Sequence, residues 1–359
     1  MQPMDDGANL DITGNYDLCV RIFVVLEKRL KVSIKLHQDQ ARAGDGQIFL
    51  FNHFARFETI IPQYLIHRET GAYCRSVASS EFFGEEDDRF TKFLYSVGAV
   101  PNDHPHLLSF LAAEILRGRK VVVFPEGGMI KDRKVLDEEG RYSIFSPTSE
   151  TQRKHHRGAA VIALTLEAFK KRILSVHAAG EEARLQRWVK ALDLDGTETL
   201  LAAARQPTTI IPANITFYPI RITDNILRKG MELFSKGIGK RFVEELLIEG
   251  NILLKDTDMD IRLGTAIPPN IKWHWWERFL LNQVFRRVNS LDDLFSLRRD
   301  APEWDERLFA RYMRRQTMRL RDSAMEAMYG GVTVNLSHIA SRLIMGLIDR
   351  EQTEVSKEF

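Results

Sequence analysis

At 359 residues, with 44% hydrophobic and 28% charged side chains, the chain has the make-up of a globular protein with a sizeable core. A formal charge of +2 excludes a global electrostatic argument for nucleic acid; two cysteines, Cys19 and Cys74, exclude a disulfide framework and point to a reducing compartment. The acidic start MQPMDDGANLDI lacks a signal peptide's basic-then-apolar pattern, and no run of 18 or more uncharged apolar residues occurs, so a membrane-spanning helix is not expected.

In chain order, Leu18, Ile22, Val25 and Leu26 recur at helical spacing over Asp17 to Leu30, interspersed with Arg21, Lys28 and Arg29. Val32, Ile34 and Leu36 then alternate with polar residues as a half-buried strand. A second strand, Gln47 to Phe51, runs into Asn52 and His53, and helix is predicted from about Phe54 or Phe57 to His67. Strands are predicted at Arg75 to Ser79 and Tyr95 to Val100, with an acidic loop, Glu85 to Asp88, between them. Leu107 to Arg117 reads as an amphipathic helix, and Lys120 to Phe124 as a β-branched strand of a mostly parallel sheet. Pro125-Glu126-Gly127-Gly128 opens a long polar segment to Arg157.

Helices are predicted from Gly158 to Lys171 and on to about Leu194. Thr209 to Tyr218 is strand-like, and Pro212 suggests an edge position or the first residue of the paired segment. Ile252 to Leu254 and Asp260 to Ile267 have the pattern of a hairpin, and Trp273 to Ile348 is helical. Strands alternating with helices over the first 220 residues imply an α/β fold, a mixed, mostly parallel sheet flanked by helices, with a helical C-terminal extension. The corresponding division is an N-terminal amphipathic segment 1–31, a domain 32–270 and an extension 271–359.

Several catalytic devices are absent: there is no G-x-S-x-G elbow, no G-x-x-x-x-G-K-[ST] loop and no paired C-x-x-C. Asp256, Asp258 and Asp260 imitate a calcium loop, but Ile261 and Ile267 stand where glycine and glutamate are needed. Asp103, His104 and His106, like His155 and His156, read as polar loops without a matching ligand set, so no metal is expected. His53, at the end of a strand with Glu58 five residues on, fits a general base with an orienting acid, or a core histidine with a surface glutamate. Phe124-Pro125-Glu126-Gly127-Gly128, with Lys131 and Arg133 behind it, fits a phosphate-binding turn or an ordinary strand-to-loop turn.

The joint order decides between these readings. H-x-x-x-x-E after a strand, G-A-V with Asp103, F-P-E-G-G, R-G-A-A from Arg157, and I-P-A-N-I-T-F-Y from Ile211 together resemble the glycerophospholipid acyltransferase family over roughly residues 30 to 220. The resemblance implies an O-acyltransferase moving a fatty acyl group from acyl-CoA or acyl-carrier protein to glycerol-3-phosphate or its 1-acyl form, with those thioesters as co-substrates and no cofactor. It implies His53 as base, Glu58 as the acid holding its imidazole, and Glu126, Gly127, Gly128, Lys131, Arg133 and His104 at the acceptor's phosphate. Glu58 stands where most members carry aspartate, Met129 where arginine usually follows the glycines, and His104 where many have arginine. Five helical residues separate two side chains by roughly 140°, so His53 must precede the helix for Glu58 to reach it. The alternatives are acylation of another lysolipid, such as an amino-acid-containing one, and a non-catalytic lipid-binding scaffold.

Trp273, Trp275 and Trp276, followed by Arg286 and Arg287, fit a lipid interface or packing of the extension on the core. Arg307, Arg311, Arg315 and Arg319 form a basic stripe, a solvated face by default. The expected setting is cytoplasmic and peripheral, at the inner face of a membrane.

Overall fold

A computed structural model describes residues 12, 14–30, 33–53, 61–84, 88–127, 134–136, 142–146, 151–218, 258–269, 275–297, 303–334 and 336–358. In chain order, α1 (Gly14–Leu30), β1 (Ser33–His37) and β2 (Ile48–Phe51) lead to α2 (Ile61–Thr70), β3 (Cys74–Ala78), α3 (Arg89–Ser96) and β4 (Ala99–Pro101). Next come α4 (Leu107–Leu116), β5 (Lys120–Val123) and three short strands, β6 (Lys134–Leu136), β7 (Tyr142–Ser146) and β8 (Thr151–Lys154). Helices α5 (Gly158–Ala178), α6 (Glu182–Ala191) and α7 (Thr197–Arg205) precede β9 (Ile210–Tyr218) and β10 (Asp258–Leu263). The chain closes with α8 (Trp275–Arg287), α9 (Leu291–Ser296), α10 (Trp304–Gly330) and α11 (Leu336–Glu358).

The main sheet has seven strands in the order β1-β10-β9-β2-β5-β3-β4. Neighbours from β9 to β4 are parallel, and β10 and β1 run against them. Period-two alternation loads both faces: Ile48, Leu50, Val121 and Ile210 point into a core built with α4 to α10, while Phe49, Phe51, Val122 and Ile211 face α1 and α2. Each fully buried side chain of this size contributes about 1.5–3 kcal/mol, which explains why β2 and β5 carry apolar residues at successive positions. The first core runs without interruption into Phe285, Leu294, Phe309, Met313 and Met328, so the C-terminal helices close the same core as the sheet.

At the edge where the parallel strands begin, a buried ion cluster ties β3 to α4. Arg75 Nε lies 2.5 Å from Glu114 Oε2, Arg117 lies 2.7 Å from Glu114 Oε1, and Arg119 donates to the same carboxylate. Burial alone would raise the Glu114 pKa, but Arg75 and Arg119 outweigh it and hold the carboxyl below its ordinary value.

Four expectations are corrected here. Tyr95 to Val100 is not one strand: α3 continues through Ser96, and only Ala99–Pro101 pairs, beside β3. Phe90 and Phe93 lie on the exposed side of α3 and Thr91 and Tyr95 on its buried side, a helical pattern that the β-branched and aromatic composition hid. The polar segment before Arg157 contains the sheet β6-β7-β8, and β10 pairs with β1 and β9. β9 is interior, flanked by β2 and β10, so Pro212 marks no edge. Its ladder with β10 begins at Ala213, and the Pro212 carbonyl accepts from Gly264 N–H at 2.7 Å. Residues 252–254, and the start of the helix after His53, lie outside the described residues.

Candidate active site

The site forms at the C-terminal ends of β2 and β5, beside the middle of β9. Asn52 extends the ladder by one side chain: its Oδ1 accepts from Ile215 N–H at 2.7 Å and its Nδ2 donates to the Ile215 carbonyl at 3.1 Å. This pins the backbone one residue before His53. His53 follows β2, outside strand and helix and ahead of α2, and is half-buried with its ring 5.1 Å from that of Phe124.

β5 delivers Pro125-Glu126-Gly127 to the same place. Glu126 is 1% exposed; its Oε2 accepts from the His53 backbone N–H at 2.6 Å, and its Oε1 accepts from the Tyr329 hydroxyl at 2.6 Å. The Tyr329 oxygen also lies 2.7 Å from His155 Nε2, and His155 is equally buried. A buried carboxylate is costly unless hydrogen-bonded, and here both oxygens are engaged by donors from distant parts of the chain. Gly127 adopts φ +62°, a backbone that favours glycine, and a Cβ there would lie 2.2 Å from Nε2 of the exposed His156 ring, which would have to move aside. His156 N–H closes the turn by donating to the Pro125 carbonyl at 2.7 Å.

Two elements hold this cluster together. α5 begins two residues after His156, which is bonded to the Pro125 carbonyl, so its N-terminal end, where a helix presents backbone N–H groups and a positive dipole, lies close to the Glu126–Gly127 turn. α10 packs across α5 and β9, and Asn214 Nδ2 donates to the Met328 carbonyl at 3.4 Å, which sets Tyr329 over the ends of the strands.

Of the residues named from sequence, His53, Glu126 and Gly127 are brought together. His104 lies three residues beyond the end of β4, a strand three positions from β2 or on the order of 14 Å to the side. Its Nδ1 accepts from His106 N–H at 3.3 Å and its ring lies against Phe110. Glu58, Gly128, Lys131 and Arg133 lie outside the described residues, as do the side chains of Trp273, Trp275 and Trp276. The arginines at 307, 311, 315 and 319 are exposed along α10. Sequence reading missed Tyr329, which no motif or spacing marks, and passed over His155 as a loop residue although it stands two residues before the R-G-A-A block. Among the described residues no group of three or more His, Cys, Asp or Glu side chains is arranged to hold a metal ion.

Chemically, the arrangement offers a half-buried imidazole on a fixed backbone, a glycine turn and a helix N-terminus. Those are the parts of a base facing an anion-accepting wall. Compared with models of known protein families and with curated proteins, the chain matches none.

Proposed function

We propose that the protein is an O-acyltransferase that moves a fatty acyl group from an acyl thioester to a hydroxyl of glycerol-3-phosphate or 1-acylglycerol-3-phosphate. The observation that carries the reading is the 2.6 Å contact between His53 N–H and Glu126 Oε2. It unites the two blocks that resemble the family most, which stand 73 residues apart in sequence. In the proposed reaction His53 takes the proton of the acceptor hydroxyl as its oxygen bonds to the thioester carbonyl carbon. The tetrahedral oxyanion collapses, the C–S bond breaks, and the leaving thiolate takes the proton from the imidazolium. Glu58 holds the imidazole in its productive tautomer.

Glu126 takes a different part from the one the resemblance gave it. Its carboxylate is buried, bonded on both oxygens and of the wrong sign for a phosphate. It is a positioning residue for the His53 backbone, and anion binding falls to the glycine N–H groups, the α5 N-terminus, Lys131 and Arg133. His104, engaged locally at the edge strand, keeps open the choice of another lysolipid as acceptor.

The test is transfer from labelled palmitoyl-CoA and from acyl-carrier protein to glycerol-3-phosphate, its 1-acyl form and lyso-ornithine lipid. Wild type should acylate one of these, and His53→Ala should lose roughly 10²- to 10⁴-fold or more with an unchanged circular dichroism spectrum. Transfer by folded His53→Ala within tenfold of wild type would sink the assignment, and no transfer to any acceptor would favour a scaffold.

A further inference from the structure

Helix α11 begins seven residues after Tyr329, within about 25 Å of the Glu126 cluster along the chain. Every described side chain from Leu336 to Arg350 is exposed. They include Leu336 at 81%, Leu343 at 64% and Leu347 at 60%, together with Ile339, Ile344 and Ile348. At ~100° per residue these six cover an arc of about 180°, Met345 at 53% widens it to about 240°, and Arg342 lies in the remaining sector. The stretch Leu336 to Ile348 contains no acid, and the acidic side chains of α11 begin only at Asp349. The helix is therefore apolar on one side over its first half and charged beyond.

Three physical limits select the partner. The apolar stretch is about 20 Å long, shorter than the ~30 Å hydrocarbon core it would need to cross. It amounts to fewer than two heptads, against the ~3–4 that sustain a helix pair, and its wide arc exceeds a coiled-coil seam. A second copy packed on it would cover a footprint of about 200 Å², well short of the ~800 Å² per partner of a stable interface. An arc this wide with a cation in the sector opposite, lying flat, matches the boundary between lipid headgroups and acyl chains. We infer that α11 is a lipid-surface docking helix that lies in the plane of an anionic membrane beside the candidate site. The docking stands whether or not the acyl-transfer reading does.

Partition of the full chain onto vesicles of 70:30 phosphatidylcholine and phosphatidylglycerol tests this by co-sedimentation. Leu343→Glu/Leu347→Glu should lower the partition coefficient at least tenfold, and Arg342→Glu should weaken it several-fold in low salt only. Because these side chains are exposed, the thermal midpoint should not move, and that measurement guards against misfolding. Unchanged partition of the double variant would overturn the inference. So would light scattering that finds a wild-type dimer converted to monomer by the same substitutions.

Discussion

Replacing Tyr329 with phenylalanine removes one oxygen and leaves the ring that packs against the first core. That oxygen donates to Glu126 Oε1 at 2.6 Å and lies 2.7 Å from His155 Nε2. The first is a charge-assisted bond worth about 1.5–3 kcal/mol and the second a neutral one worth about 0.5–1.5 kcal/mol, so the expected loss of stability is about 2–4.5 kcal/mol. Tyr329 itself is only half-buried, and water reaching the gap would bring the value toward the lower end. Urea unfolding reads it as a lower midpoint at unchanged slope. A double-mutant cycle with His155→Ala should give a coupling of about 0.5–3 kcal/mol, because the two groups share one hydrogen bond. If Glu126 fixes the backbone at His53, turnover falls while the Michaelis constant for the acyl donor holds. A stability change under about 0.5 kcal/mol with no coupling would refute the view that this hydroxyl anchors the cluster.

Gly127→Ala should cost about 1–2 kcal/mol for the left-handed backbone alone. His156 is exposed and its ring can swing away, so adding His156→Ala should restore little of that stability; full restoration would assign the requirement to the ring instead. Burial, only partly offset by Glu167, pushes the Lys170 ammonium down to about 8, whereas an unfolded lysine titrates near ~10.4. The unfolded chain binds more protons between these values, so this residue's contribution to stability rises with pH through that window, by on the order of 3 kcal/mol. Wild type should therefore gain on Lys170→Met between pH 8 and 10.5 in urea unfolding, and parallel curves would contradict it.

Periodicity and local composition by themselves determined most of the elements. The alternating residues of β1, the apolar runs of β2 and β5, and the spacing in α4 and α5 each bury a face that only one kind of backbone can present. The order of short motifs also marked His53, Glu126 and Gly127, since strand ends and glycine turns are local features. Tertiary structure alone decided the rest. α3 hid behind β-like composition because its helical face is short, and β9 became interior through a strand pairing that skips the 39 residues between Tyr218 and Asp258. α11 is apolar over its first half, yet its described side chains there are exposed, because apolar content does not say what an element packs against. Above all, the carboxylate of Glu126 reads as an anion-site residue in its motif but is bonded to Tyr329, 203 residues later. A hydrogen bond between side chains so far apart leaves no period, spacing or propensity in the chain; it exists only once α10 lies across β9 and β2.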